Sequence, residues 1–187
     1  MSKIYKAFES KKAFIGFLTA GDPGADKTVE YILEMERAGA DLIEIGIPFS
    51  DPTTEGIVIQ EANIRALKGG MTTSGVFEIV KKVREKSNIP LVFLTYINPV
   101  FFYGYEKFFK KCGELGIDGI ISPDLPYEEK GEIKDIEIFL HPFLVGGLRN
   151  HNNTTLNQEP QNGLCNGLAV FCTNFLQNRI LEQIFSA

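Results

Sequence analysis

The feature that most constrains the fold is a regular alternation between short apolar runs and longer segments of helical periodicity. The short runs are rich in β-branched and aromatic residues, and glycine, proline and aspartate lie at the junctions. This alternation predicts repeated βα units. The predicted strands are residues 13–19, 41–47, 90–97, 117–122 and, more weakly, 138–145. The predicted helices are residues 26–38, 57–67, 74–86, 105–115 and 127–137.

The predicted strands are apolar on both faces, as residues 91–97, LVFLTYI, illustrate. Strands of this kind are typical of parallel sheets that helices cover. Gly39 and Gly116 follow two of the predicted helices, where a left-handed residue turns the chain into the next strand. We therefore predict an α/β fold, a parallel (β/α) TIM-type barrel. The barrel is expected to be incomplete, with four to five βα units, because a closed one needs roughly 200–250 residues.

The composition changes abruptly after residue 145. Residues 1–145 hold 39 charged residues and three asparagines, whereas residues 146–187 hold four charged residues, eight asparagines and no lysine. We predict a partial barrel domain over residues 1–145 and a divergent tail over residues 146–187, loop-rich at first and then compatible with one amphipathic helix. Three origins of the tail fit the sequence: a structural element of its own, an altered reading frame, or an artefact of sequence assembly.

Charge and apolar content argue against several functional classes. The net charge of −5 over 187 residues comes without a basic block, which argues against nucleic-acid and anionic-membrane partners. No run reaches the roughly 18 apolar residues of a membrane span, and the N-terminus lacks the apolar core of a secretory signal. Three cysteines and two histidines offer no convincing metal-ligand spacing. We expect a cytoplasmic protein without a metal site.

Polar residues at the ends of the predicted strands are the candidates for chemistry, because active sites of parallel barrels lie at the carboxyl ends of their strands. Four segments occupy such positions: TAGDP at 19–23, EIGIPFSDP at 44–52, TYINP at 95–99 and SPDLP at 122–126.

Glu44 is the most specific single signal. It lies within the apolar run DLIEIGIP, on the same side of the strand as Leu42 and Gly46. If that side faces the barrel interior, the carboxyl group is buried. Burial raises the pKa of a carboxyl group and suits it to proton transfer near neutral pH. An equally supported alternative is that Glu44 faces the helices and pairs with a lysine or arginine.

Glu55 lies eleven residues later, in the glycine-flanked loop DPTTEGIVIQ. Alone it would be interpreted as a solvated loop residue. Together with Glu44 it forms a pair of carboxylates in unlike environments, an arrangement that often divides acid and base roles.

Four other residues at or near strand ends have a simpler structural interpretation. Asp51, in a sequence of turn composition, fits a turn or helix cap better than catalysis. Asp124, between two prolines, has a similar ambiguity, although its position at a strand end favours a site role somewhat more. Phe17 and Tyr96 lie in predicted strands, where such side chains more often belong to the core than to a binding pocket.

Five blocks of sequence carry a family resemblance: FLTAGDP, ADLIEIGIPFSDP, IQEANIRAL, YINPVFFYG and DGIISPDLPYEE. In their order and spacing, the chain resembles the tryptophan synthase alpha family over about residues 1–140. That family is a (β/α)8 barrel that cleaves indole-3-glycerol phosphate, by a retro-aldol step and without a cofactor, to indole and glyceraldehyde 3-phosphate. The resemblance implies a carbon–carbon lyase of tryptophan biosynthesis.

The resemblance also implies roles for individual residues. Glu44 would protonate the indole ring carbon, and Glu55 would take or stabilise the ring proton. The family has an aspartate in ADGP where this chain has TEGI, and a misplaced carboxylate can lower a rate by about a hundredfold. Four side chains would line the indole pocket: Phe17, Ile59, Leu94 and Tyr96.

Four further residues would lie in loops that the family uses against its beta subunit: Asp51, Pro52, Asn98 and Pro99. That subunit, and not this chain, would carry pyridoxal phosphate and receive the indole. The family's phosphate-binding segment, after strands six to eight, has no recognisable counterpart, so impaired activity is expected. The alternative is a catalytically inactive truncated remnant that at most contacts a beta subunit. A different phosphate-utilising aldolase barrel would fit the βα pattern but not the five ordered blocks.

Overall fold

The computed structural model describes residues 3–8, 12–124 and 144–147. Helices and strands alternate along these ranges, as the periodicity predicted. The helices are α1 (Lys3–Phe8), α2 (Ala25–Arg37), α3 (Ile57–Lys68), α4 (Thr73–Arg84), α5 (Ile97–Tyr103) and α6 (Tyr105–Leu115). The strands are β1 (Ile15–Thr19), β2 (Leu42–Gly46), β3 (Leu91–Leu94), β4 (Gly119–Ser122) and β5 (Leu144–Gly147).

All five strands belong to one parallel sheet, in the order β1-β2-β3-β4-β5. The register places Phe17 beside Glu44, Glu44 beside Val92, and Val92 beside Gly119. Within the described ranges β1 and β5 each pair with a single neighbour, so the sheet there is an open arc. These observations confirm the predicted fold class, a parallel α/β barrel of which the described residues form a part.

The outer face of the sheet packs against three helices. Ile43 and Ile45 of β2 belong to a buried cluster with apolar residues of α2, α4 and α6. At its centre Phe77 of α4 meets Phe93 of β3 and Phe108 of α6, with ring centroids 5.6 and 5.3 Å apart. Each such buried side chain contributes roughly 1.5–3 kcal/mol of transfer free energy, so this layer supplies much of the stability of the fold.

The inner face of the sheet has a separate, smaller apolar cluster. Strand residues supply five of its members, Ile15, Leu42, Val92, Leu94 and Ile121, and Ile4 of α1 is buried among them. Helix α1 therefore contributes a buried side chain to this cluster. It was not predicted, because six residues are too few to show a helical period.

The third strand is the clearest error in the predicted elements. We predicted a strand over residues 90–97, but β3 ends at Leu94 and α5 begins at Ile97. The Ile97 N–H donates to the Asp124 carboxylate at 2.9 Å, which stabilises the start of a helix. Pro99 is the third residue of α5, where no intrahelical bond needs its missing N–H. The contact with Asp124 is not local, so periodicity could not show it.

Several local predictions are confirmed. Helix α6 has the predicted bounds, and Gly39 and Gly116 have φ values of +99° and +65° after α2 and α6. Strand β5 runs to Gly147, past the predicted domain boundary. The predicted helix 127–137, the start of the fifth predicted strand and the tail from residue 148 lie outside the described residues, so that domain division stays a prediction. None of the helices in the described ranges has both the length and the apolar character of a membrane span.

Candidate active site

Glu44 lies in the middle of β2 with 3% of its surface exposed. Ile43 and Ile45 occupy the helix-covered face of this strand, and Leu42 lies on the inner face. By the alternation of side chains, Glu44 also points to the inner face, between Phe17 of β1 and Val92 of β3. The alternative in which it faces the helices is therefore wrong.

Two of the four predicted pocket residues share the inner face of the sheet with Glu44. Phe17 and Leu94 are on the inner face of β1 and β3. A Cβ atom built at Gly46 would lie 2.9 Å from the Phe17 Cζ, so the ring lies over Gly46. Glycine at this position leaves the space that the Phe17 ring occupies. Tyr96 is buried just beyond β3, whereas Ile59 is half-buried in the first turn of α3.

Glu55 is half-buried in the segment between β2 and α3. Its Oε2 accepts a hydrogen bond of 2.8 Å from the Asn63 amide, and its main-chain oxygen accepts one of 2.8 Å from the Gln60 amide. Burial raises the pKa of Glu55, and the hydrogen bond from Asn63 opposes this by favouring the charged form. The two candidate carboxyl groups thus occupy unlike environments, as predicted.

The Tyr96 side chain ties the Glu55 segment to the end of β3. Its hydroxyl accepts from the Thr54 N–H at 3.1 Å and lies 2.8 Å from the Thr54 hydroxyl. Its ring also packs on Phe49, with centroids 5.4 Å apart. These contacts place the segment 47–56 at the carboxyl end of the sheet, beside the start of α5.

The four predicted partner-interface residues lie on the two segments that Tyr96 joins. Asp51 and Pro52 belong to the segment 47–56, and Asn98 and Pro99 belong to the first turn of α5. Asp51 and Asn98 are exposed, and the two prolines are half-buried. Asp124, by contrast, has a structural role, because its carboxylate accepts from the Ile97 N–H and from the Ser122 hydroxyl at 3.0 Å.

Three residues of the site were not predicted from the sequence: Asn63, Gln60 and Thr54. Asn63 has a detectable signal, because it is a polar residue on the buried side of α3 beside Ala62. Thr54 and Gln60 have none, since their contacts depend on how the segment 47–56 folds back. Thr19 is buried at the end of β1, and no described residue provides a hydrogen-bond partner for its hydroxyl oxygen.

Other surfaces of the described residues are weaker candidates for a functional site. A groove of about 500 Å³ lies on the outer side of α2 and α4, lined by residues such as Glu34, Arg37 and Lys82. It contains none of the predicted site residues. The described ranges bring no three or more histidine, cysteine, aspartate or glutamate side chains together in a way that could hold a metal ion.

Replacing Glu55 by glutamine is expected to stabilise the chain near neutral pH. Burial raises the pKa of Glu55 in the folded chain above its value in the unfolded chain. Protonated Glu55 therefore stabilises the fold fully at pH values below the unfolded-state pKa, and this stabilisation is lost as the pH rises through the folded-state pKa. Glutamine is always neutral and still accepts from Asn63. The stability difference should therefore be present at pH 7 and disappear below about pH 4.

Urea unfolding of Glu55→Gln and native chains across this pH range measures the difference. Glu85→Gln, the same change at an exposed position, provides the matched control. A Glu55→Gln chain that is less stable than the native one at pH 7, or equally stable at all pH values, would contradict the effect of burial.

Sequence comparisons find relatives of the chain among known proteins. It matches the family model described as Tryptophan synthase alpha chain over residues 5–138. The tryptophan synthase alpha chain of Clostridium kluyveri is 51% identical over 137 residues, which cover 73% of this chain and 52% of that relative. The one from Alkaliphilus metalliredigens is 55% identical over 124 residues, which cover 66% of this chain and 47% of that relative. The chain thus spans about half the length of the curated relatives it matches.

Solved structures agree with the sequence matches. The tryptophan synthase alpha chain of Legionella pneumophila superposes with a TM-score of 0.72 at 34% identity, over 79% of this chain and 56% of that one. A chain from the tryptophan synthase α2β2 complex of Pyrococcus furiosus superposes with a TM-score of 0.70 at 38% identity, over 75% of this chain and 59% of that one. The family match over residues 5–138 includes β1 to β4 and the helices α2 to α6, which carry the candidate site.

Proposed function

The chain belongs to the tryptophan synthase alpha chain family, and from this membership we propose that it takes part in the retro-aldol cleavage of indole-3-glycerol phosphate. The products are indole and glyceraldehyde 3-phosphate, which makes the activity that of a lyase in tryptophan biosynthesis. The proposed reaction uses no cofactor of this chain.

One observation carries the proposal: two carboxyl groups lie in unlike environments, one on the inner face of the sheet and one at its carboxyl end. Glu44 is almost fully enclosed on an apolar face, beside Phe17 and near Leu94. Glu55 is half-buried and held by an amide donor. An enclosed carboxyl group suits a general acid, and a hydrogen-bonded carboxylate suits a base, so the pair fits a reaction in which protons move at two places.

In the proposed reaction, Glu44 donates a proton to the indole ring carbon that carries the glycerol phosphate chain. The bond between this carbon and the chain then breaks, and its electron pair returns to the ring. The chain hydroxyl gives its proton to the Glu44 carboxylate, which has just lost one, and becomes the aldehyde of glyceraldehyde 3-phosphate. Glu55 takes or stabilises the proton on the indole ring while these charges develop. Phe17, Ile59, Leu94 and Tyr96 supply the apolar contacts for the ring.

The test is indole release from indole-3-glycerol phosphate by the purified chain, alone and with a tryptophan synthase beta subunit. Indole formation that depends on Glu44 supports the proposal. A folded chain that releases no indole under either condition overturns it as a statement about this chain and leaves the second candidate.

The second candidate function is contact with a beta subunit without catalysis. The observation that favours it is that large apolar side chains are exposed beside the predicted partner-interface residues. Ile57 at the start of α3 is 74% exposed and Phe102 of α5 is 94% exposed, and Val58 and Phe101 beside them are exposed too. Exposed apolar groups of this size are typical of interaction surfaces.

Binding of the full chain to an immobilised beta subunit, with and without Phe102→Ser, tests the second candidate. Weaker binding of Phe102→Ser supports it. Equal binding of both chains, or no binding of either, counts against it.

A further inference from the structure

Glu55 is anchored to α3 at two points. Gln60, in the first turn of α3, donates to the Glu55 main-chain oxygen, and Asn63, one turn later, donates to the side-chain carboxylate. The Glu55 backbone and side chain are therefore both held by amide groups of the helix that follows. A loop carboxylate without such contacts would sample many rotamers.

Asn63 is itself firmly placed. It is 4% exposed and lies on the side of α3 that buries Ala62 and Ala66. A bidentate contact also joins α3 to the turn after β1, since the Arg65 guanidinium donates to both Asp22 oxygens at 2.9 and 2.7 Å. The position of the Asn63 amide is thus set by the packing of the whole helix, and through it the Glu55 carboxylate is set as well.

An asparagine partner has a property that a charged or aliphatic residue lacks. Its amide nitrogen can donate to a carboxylate, and after a 180° rotation its amide oxygen can accept from a protonated carboxyl group. A lysine would hold only the charged form, and a leucine would hold neither. The same side chain can therefore keep a carboxyl group in place before and after it gains a proton.

We propose that Asn63 is a positioning residue that holds the Glu55 carboxyl group in both of its protonation states during the acid–base step. The catalytic part of this proposal rests on the proposed function, but the hydrogen bond between Asn63 and Glu55 can be tested without substrate.

The first test uses the full native chain and needs no activity. Carbon-13 in the glutamate carboxyl groups reports the titration of Glu55, which is assigned by its absence in Glu55→Gln. The side-chain amide of Asn63 should shift with pH at the same midpoint. An Asn63 amide that does not follow Glu55 overturns the proposal, even if the chain is an active lyase.

The second test uses variants at position 63. Asn63→Leu removes the donor and keeps the number of side-chain heavy atoms and their branching, and Asn63→Ala removes the donor with the best helix former should the larger leucine disturb the fold. Both should raise the Glu55 titration midpoint, because the hydrogen bond favours the charged form. Asn88→Leu is the matched control, since Asn88 is exposed in the segment before β3, and it should leave the midpoint unchanged.

Kinetics separate positioning from a general structural role. Asn63→Leu is expected to lower kcat by about tenfold to a hundredfold with little change in KM, because the carboxyl group is misplaced while substrate contacts remain. In a Glu55→Gln background the same change should have no further effect. A fall in kcat of equal size in both backgrounds overturns the proposal. A shifted Glu55 titration in a chain that releases no indole supports the hydrogen bond and overturns only the proposed function.

Discussion

Glutamine in place of Glu44 is expected to lower the rate of indole release by about 10²- to 10⁴-fold, the usual contribution of a general acid. Glutamine has nearly the same shape as glutamate, so the packing against Phe17 and Val92 should persist. It has no acidic proton to give to the ring carbon. The loss should therefore appear in kcat, with KM for indole-3-glycerol phosphate changed little.

The control for this prediction is Glu78→Gln, the same chemical change at an exposed position of α4. It should leave the rate within a factor of about two of the native chain, as expected for an isolated surface change. Circular dichroism and thermal unfolding of each variant establish that the fold is retained. A Glu44→Gln chain that keeps the native rate would exclude Glu44 as the acid.

Methionine in place of Arg84 is expected to lower the free energy of unfolding by about 3–5 kcal/mol, because it breaks a largely buried ion pair from one side. The Arg84 guanidinium donates to the Asp118 carboxylate at 3.1 Å and to the main-chain oxygens of Ile89, Gly116 and Leu115 at 2.6, 2.7 and 3.2 Å. Arg84 and Asp118 are each 13% exposed. One side chain therefore joins the start of β3 to the turn between α6 and β4.

The environment of this ion pair explains the size of the effect. Burial lowers the pKa of the Arg84 guanidinium, and the Asp118 charge opposes that change. Asp118 also accepts from the Leu91 N–H at 3.1 Å and lies 3.7 Å from the Lys3 ammonium. Without Arg84, the shielded Asp118 carboxylate would keep the exposed Lys3 as its one cationic partner among the described residues. The three carbonyls would also lose a donor.

Denaturant unfolding of Arg84→Met measures the loss, and Arg37→Met provides the control. Arg37 pairs with Glu34 on the exposed surface of α2, where such a pair contributes less than about 1 kcal/mol. Arg84→Met combined with Asp118→Asn should lose less stability than the two single changes added together, since the uncompensated charge is gone. A loss in Arg84→Met no larger than in Arg37→Met would show that the buried pair does not hold the fold.

Local sequence patterns determined most of the architecture. Helix α6 and the left-handed glycine after it follow from a run of helical period that ends in Gly116. The strands follow from short apolar runs, because a parallel sheet with covered faces needs apolar residues on both sides of each strand. For β2, alternation also placed Glu44 on one side with Leu42 and Gly46. These predictions succeeded because they depend on neighbours a few residues apart.

Local sequence patterns predicted only part of the candidate site. Alternation could group Glu44 with Leu42 but could not say which side the helices cover, and the packing of α2 and α4 on Ile43 and Ile45 decided it. The start of α5 depended likewise on Asp124, which is 27 residues from Ile97.

The sequence by itself determined the parallel α/β class, the order of β1 to β4 with α2, α3, α4 and α6, and the identity of the two candidate carboxylates, but it predicted neither α1 nor α5. Only the tertiary structure decided that Glu44 is enclosed, that Asn63 holds Glu55, and that Tyr96 binds Thr54 across 42 residues. The physical reason is how far apart along the sequence the interacting residues lie. Periodicity records the two sides of one element, whereas a hydrogen bond between elements forms only where the packing of the whole sheet and its helices brings donor and acceptor to within about 3 Å.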